Sequence, residues 1–319
     1  MVTIVLAVVA LFAITSSCVV PVTPVVAFVD DTFEGFPVVS YIPANPKAIV
    51  FVFHGSGGGA NVVHKVATLD VLNALIADGY GIAATGSTES TERTGDKRWE
   101  VSNLSLTTNP DLARLARLHA NLVDTTPLEA STPIVGIGHS NGGRFVTLWG
   151  EAWKDAGYPV RAIWASAGRV ANPVTNAGGL TVPTFVVGAA NDFTAPPGGS
   201  VDGYNETLAA GTAAELHINL EQKLRVVPFL RIPGIDVAKA NEVVAALTTT
   251  GVWDAAGARI VNPVQKASQQ AETAALPAWV GPAGLTNDIS NAVALVLAVH
   301  QFTAEFKAEG KAFFDARLP

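Results

Sequence analysis

The sequence predicts an α/β protein: a mostly parallel, twisted sheet with helices on both faces and a cap-like insertion ahead of a C-terminal helix. Three observations lead there. Apolar runs short enough for strands alternate with segments whose apolar residues recur at helical spacing, which is the pattern of right-handed βαβ crossovers. Several strand-like runs end directly in glycine-bearing loops, at the strand ends where open α/β sheets gather their function. Late in the chain, from about residue 222 to 290, the alternation stops and prolines 228, 233, 263, 277 and 282 punctuate the sequence.

Taken in order, the segments around "VVAFVDDTF" and "FPVVSYIPAN" read as strands joined by a turn at Asp30, Asp31 and Gly35. "KAIVFVF" is a continuous apolar strand, as expected for burial on both faces, and runs into "HGSGGGA". Val62, Val63, Val66, Leu69, Leu72, Leu75 and Ile76 carry helical spacing up to a stop near Gly79. A second short strand, "YGIAAT", leads into a polar loop, and a periodic helix covers about Asp111 to Val123. The rhythm repeats with strand "PIVGIG", a helix from Asn141 to about Asp155, and strands "VRAIWASAG" and "PTFVVGAAND". Within the excursion, a helix is expected from Asp236 to Gly251, then a hairpin turning at "DAAG" between Val252, Trp253 and Ile260, Val261. The end of the chain returns to helix. The resulting division is a leader at 1–18, a core at 25–221, a cap insertion at 222–290 and a last core piece at 291–319.

Composition narrows the chemistry. The 319 residues are 49% apolar and 15% charged with a net charge of −7, which suits a compact globular chain and leaves no basic footprint for nucleic acid. With one cysteine, Cys18, no intramolecular disulfide can form. The six histidines are scattered without metal-clamp spacing, so neither a metal nor another cofactor is expected. The apolar run from Ile4 to Ile14 has the length of a signal-peptide core and is short for a membrane span, which predicts export to the cell envelope or beyond. Cys18, following Ser16 and Ser17, resembles a bacterial lipoprotein processing site and so a membrane attachment point. Thr15, and the lack of a basic residue before the run, depart from that pattern. The competing reading is a buried N-terminal element with a structural cysteine.

Residues 134–144, "IVGIGHSNGGR", hold Ser140 between Gly138 and Gly142. A serine hydroxyl is a weak nucleophile that needs a tight turn to project it, a base, and donors for the oxyanion. G-x-S-x-G supplies the turn, since flanking glycines permit strained dihedrals and close strand–helix packing. With glycine at 29 of 319 positions, chance alone would flank a serine this way roughly once in 120 times. The strand before and the helix after raise the motif above that background. Upstream, "HGSGGG" offers amides of Ser56 or Gly57 for one half of an oxyanion hole, with the amide of Asn141 as the other. The same stretch, Gly55 to Ala60, also matches a dinucleotide-binding glycine loop, although it follows a third strand and is preceded by His54.

Asp192 ends a buried strand in a Pro/Gly loop, where either an orienting acid or an ordinary turn aspartate would sit. His300 lies just ahead of a phenylalanine-rich final helix and completes the chain order Ser, Asp, His; His217, alternating with Leu216 and Ile218 on a strand, is the other candidate base. His54 and His139 flank the two loops, and His139 is a candidate substrate contact. His64 and His119 read as helix-surface residues, and Trp99 as a candidate wall of the substrate pocket.

With "HGSGGG", "GHSNGGR", "GAAND" and "HQF" in this order, the chain resembles the α/β-hydrolase superfamily, in particular serine esterases with dienelactone-hydrolase-like or polyester-depolymerase-like cores, over roughly 36–220 and 290–319. The resemblance implies an α/β-hydrolase fold with Ser140 as nucleophile, Asp192 as acid, His300 as base, and oxyanion donors at Asn141 and at Ser56 or Gly57. The expected function is cofactor-free ester hydrolysis through an acyl-serine, on a small-molecule or polymeric ester, with activity rising through mildly acidic pH to a plateau. The 108 residues between Asp192 and His300 depart from family members whose histidine follows soon after the acid, and point to the cap as the source of selectivity. A nucleotide-dependent oxidoreductase using the 55–60 loop, and a non-catalytic binding protein of this fold, are the alternatives.

Overall fold

The computed structural model describes residues 20–90, 97–260 and 272–319, so the predicted leader and Cys18 lie outside the described residues. Eight strands form one sheet: β1 (Val29–Phe33), β2 (Phe36–Tyr41), β3 (Ile49–Phe53), β4 (Gly81–Thr85), β5 (Ile134–His139), β6 (Val160–Ser166), β7 (Thr184–Ala189) and β8 (Ala214–Asn219). Their order is β1-β2-β4-β3-β5-β6-β7-β8. β2 runs antiparallel to both β1 and β4, and every pairing from β4 through β8 is parallel. This is the mostly parallel sheet with flanking helices that the sequence predicts.

The central strands are continuous apolar runs because both faces are covered. Along β3, Ile49, Phe51 and Phe53 enter one core and Val50 and Val52 the other, the period of two that a strand imposes. The first core is closed by α2 (Pro110–Thr125) and α3 (Asn141–Asp155), and is dominated by Trp99, Trp149 and Trp153. The second is closed by α1 (Val66–Ile76) and the C-terminal helix, with Leu72, Leu75, Trp164 and Phe313. Caps are placed as expected: Asn109 accepts from the N–H groups of Asp111 and Leu112 at the start of α2, ahead of Pro110 at its first position.

The short α4 (Asn172–Asn176) follows β6, and α5 (Pro197–Ala209) follows β7. Beyond β8 the chain leaves the sheet and builds a third apolar cluster running from Leu224 to Val299, formed by α6 (Val227–Leu230), α7 (Val237–Thr248) and α8 (Thr286–Val296). A loop then carries the chain back to α9 (Lys307–Asp315). That last helix is pinned to the segments that lead into the central strands β3 and β4: Lys47 and Lys311 each pair with both Asp78 and Asp315 at 2.6–2.7 Å, and the Tyr80 hydroxyl donates to Asp315.

Several expectations are corrected. The β1–β2 turn is made by Glu34 and Gly35, both at positive φ (53° and 81°), while Asp30 and Asp31 sit in β1 opposite Val39 and Val38. A type I′ two-residue hairpin loop needs two positive φ values, and the Glu-Gly pair brings a glycine to one of them. The "DAAG" hairpin, by contrast, is present as a short one: Trp253 bridges Arg259 antiparallel, the Asp254 N–H donates to the Ala258 carbonyl and the Ile260 N–H to the Val252 carbonyl, and the Asp254 carboxylate closes the turn by accepting from the N–H groups of Ala256 and Ala258. Val261 lies outside the described residues. His119 is not on a helix surface: it is 4% exposed and packs against Phe51, Trp153 and Tyr158.

Candidate active site

β5 delivers Ser140 at its C-terminal end, and α3 begins at the next residue. The Ser140 backbone has φ 58° and ψ −122°, a conformation rare for a residue with a side chain. Its neighbours explain how such strain is tolerated. A Cβ on Gly138 would be driven into the Gly142 carbonyl, and one on Gly142 into the carbonyls of Phe53 and His54. Strand, elbow and helix are therefore packed backbone on backbone, and the turn cannot relax. The Ser140 N–H donates to the Ser166 carbonyl at 2.9 Å, which ties the elbow to β6.

The structure brings Ser140, Asp192 and His300 together. The Ser140 hydroxyl donates to His300 Nε2 at 2.7 Å, and His300 Nδ1 donates to Asp192 Oδ2 at 2.7 Å. The Asp192 carboxylate is buried, and its Oδ1 accepts from the N–H groups of Thr194 and Ala195. The turn reading and the orienting reading of Asp192 are thus both satisfied, one by each oxygen. A residue that the sequence did not single out holds the two loops together. Asn191 donates from its backbone to the Ala298 carbonyl at 2.9 Å and from its side chain to the Leu297 carbonyl at 2.8 Å. Ala298 itself has φ 51°, a bend that turns the chain as it leaves α8 toward His300.

His217 is elsewhere, on β8, with its ring between Phe185 and Phe306 at 4.6 and 4.9 Å and Nε2 3.5 Å from Glu215. His139 lines the cavity over Ser140, with its ring 5.0 Å from that of His300. Burial, helped by the His300 and Lys65 charges, pushes His139 down to about 3, so it stays a neutral ring beside His300. His54 is buried and pushed down to about 4, chiefly by desolvation. Its Nε2 accepts from the Ser87 N–H at 3.1 Å, which leaves Nδ1 to donate to the Gly55 carbonyl.

The glycine loop gives a further correction. The Gly57 N–H donates to the Lys97 carbonyl at 3.0 Å, so Gly57 has no free donor for an oxyanion. The N–H groups of Ser56 and Asn141 enter no such loop or cap bond among the described residues. Asn141 opens α3, where first-turn N–H groups have no intrahelical partner. Gly55 lies so close to Ser140 that a Cβ there would approach the Ser140 Cβ to 3.2 Å.

Trp99 does not line the cavity; it is 2% exposed and stacks on Phe145 at 4.7 Å. Its work is structural. The Trp99 N–H donates to Asn141 Oδ1 at 2.7 Å, Asn141 Nδ2 donates back to the Trp99 carbonyl at 3.3 Å, and the indole donates to the His54 carbonyl at 2.9 Å. Residues 97–99 therefore form a strap across the glycine loop and the serine elbow. No periodicity points to it, because every one of its bonds is long-range.

The cavity over Ser140 has a volume of about 540 Å³, with Val62, Val66, Ile232 and Leu295 in its walls and Lys65 and Asp288 among its polar lining. The described residues contain no group of three His, Cys, Asp or Glu side chains gathered as a metal site needs, and no helix long and apolar enough to cross a membrane.

No family model and no curated protein matches the sequence. Among solved structures, the chain is similar to a carboxylesterase from Mesorhizobium loti (17% identity, covering 69% of this chain and 98% of that one, TM-score 0.45). It is also similar to the Bacillus cereus carboxylesterase (12%, 66% and 93%, TM-score 0.44) and to a phospholipase/carboxylesterase from Dyadobacter fermentans (15%, 61% and 93%, TM-score 0.41).

Proposed function

We propose that the protein is a serine ester hydrolase of the α/β-hydrolase kind, acting through an acyl-Ser140 intermediate. The observation that carries this reading is the position of His300, with one ring nitrogen on Ser140 Oγ and the other on the buried Asp192 carboxylate. Asp192 fixes the tautomer in which Nδ1 carries the proton and Nε2 is free to accept one. His300 takes the hydroxyl proton as Oγ bonds the ester carbonyl carbon. The carbonyl oxygen gains its charge in front of the N–H groups of Asn141 and Ser56. Collapse breaks the carbon–oxygen bond to the leaving alcohol, which receives the proton from His300 Nε2. Water repeats the sequence and releases the acid.

The oxidoreductase alternative finds less support in the loop. A pyrophosphate site needs free N–H groups leading into a helix N-terminus, whereas Gly57 and Gly58 donate to Lys97 and Gly55, and a 3₁₀ turn, Ala60–His64, comes next. Export with lipidation at Cys18 forms part of the proposal and is tested by cell fractionation with fatty-acid labelling of wild type and Cys18→Ala.

The central test is labelling by a fluorophosphonate probe. Wild type is expected to label, Ser140→Ala not at all, His300→Ala far more slowly, and His217→Ala as wild type. Labelling that persists in Ser140→Ala overturns the nucleophile; loss in His217→Ala with retention in His300→Ala reassigns the base.

A further inference from the structure

Two cavities meet at His300. The one already described, about 540 Å³, contains Ser140, Ser56 and Gly57 in its lining. A second, about 870 Å³, touches His300, Gln301 and Thr194, but neither Ser140 nor the glycine loop. α8 stands between them. Ala292, Leu295 and Val296 line the first cavity, and Val293, Ala294 and Leu297 the second. Residues 292, 295 and 296 follow i, i+3, i+4 spacing and residues 293, 294 and 297 follow i, i+1, i+4, so beyond Asn291, which reaches both cavities, the end of the helix turns one apolar side to each chamber.

We propose that α8 is a partition that sorts the two halves of the ester, the acyl group into the first cavity and the leaving alcohol into the second. The substrate is then an ester with a bulky, mainly apolar group on each side of the scissile bond. This inference rests on the serine-hydrolase reading and follows from the order of bond changes. The acyl carbon must bond Ser140 Oγ while its oxygen faces the amides of Ser56 and Asn141, and Ser140 and Ser56 line the first cavity. The alcohol must collect its proton from His300, which is the member of the site that the second cavity touches. Both volumes fall in the range of about 300–1,000 Å³ that encloses drug-sized ligands. An acetyl group on one side or a methyl group on the other would leave most of the apolar walls uncovered.

The test varies the two halves independently on the full-length protein. One series holds p-nitrophenol as the leaving group and lengthens the acyl chain from acetyl to decanoyl. The other holds a hexanoyl acyl group and lengthens the alcohol from methanol to octanol, read by acid release. In wild type, kcat/KM is expected to climb by about fourfold per added methylene in each series until its cavity fills, the ratio that corresponds to burying one methylene. Leu295→Trp, which narrows the first cavity, is expected to shorten the preferred acyl chain and leave the preferred alcohol unchanged. Leu295→Ala lengthens the preferred acyl chain, and Ala294→Phe shortens the preferred alcohol alone. Leu295 and Ala294 are both half-buried, and a cooperative thermal melt by circular dichroism reports that each variant is folded. The partition is overturned if folded variants at both positions shift the same series, or if neither shifts either series. If wild type hydrolyses no ester and takes no fluorophosphonate label, the serine-hydrolase reading itself has failed; labelling with flat chain-length series refutes the partition alone.

Discussion

Asn141→Ala is a sharp test of how the oxyanion site is held, because it removes a side chain while keeping the backbone N–H proposed to do the chemistry. In the native protein the Asn141 side chain accepts from the Trp99 N–H at 2.7 Å and donates to the Trp99 carbonyl at 3.3 Å. Alanine leaves a buried N–H without a partner, which costs about 1–3 kcal/mol. It also frees the elbow from the strap that Trp99 extends to the His54 carbonyl and Lys97 to the Gly57 N–H. Removing an oxyanion donor outright costs about 10²–10³ in kcat, so misplacing a retained donor should cost less, about 10- to 100-fold. Because the loss concerns charge that appears only in the transition state, KM should move little. The assay is steady-state hydrolysis of a p-nitrophenyl ester, with urea unfolding to measure the stability loss. A folded Asn141→Ala enzyme with kcat within twofold of wild type would refute the strap as a positioning device.

Other outcomes follow from the same contacts. Gly138→Ala or Gly142→Ala must displace backbone carbonyls rather than flexible side chains. Losses of about 1–3 kcal/mol or more, with abolished fluorophosphonate labelling, are expected on comparing soluble yield, melting and labelling with wild type. His54 and His139 are held down to about 4 and about 3 in the folded protein, below the ordinary 6.5. The unfolded chain therefore binds protons that the native state refuses. Their stabilising contribution is complete above pH 6.5 and falls by about 1.4 kcal/mol per pH unit for each as pH drops toward those values. Urea unfolding between pH 7 and 5 should show a shallower acid loss in His139→Phe than in wild type, and equal slopes would refute the assignment. Glu272 behaves in the opposite sense: buried, with Oε1 unpartnered, it is pushed up to about 7 by desolvation. Its ionisation destabilises the fold as pH rises from about 4.5 through 7. Glu272→Gln should accordingly raise the melting temperature at pH 8 and lose that advantage at pH 4.

What could be read from the sequence was local. The β3 and β5 runs and the helix after Asn141 announce themselves because each residue's burial follows from its immediate period. Ser140 is legible because the glycines that its turn requires lie two positions away. His300 could be found by chain order, although 108 residues separate it from Asp192. The misses depend on partners far along the chain. That Gly57 spends its N–H on Lys97, or that Trp99 faces the core and braces Asn141, is decided by a loop crossing that no spacing encodes. His119 is different, since a signal was present: it lies four residues after Leu115 and three before Leu122, on the buried stripe of α2.

Asn191 gives the long excursion between acid and base a particular meaning. It ties the residue just before Asp192 to Leu297 and Ala298, three and two residues ahead of His300, where the chain returns from its excursion. The imidazole and the carboxylate are thus stitched together at the roots of the insertion, so the geometry of proton transfer does not depend on what is built above the stitch. Such a roof is free to be lengthened, trimmed or exchanged between descendants, and under the proposed function the choice of ester can drift while the chemistry stays fixed.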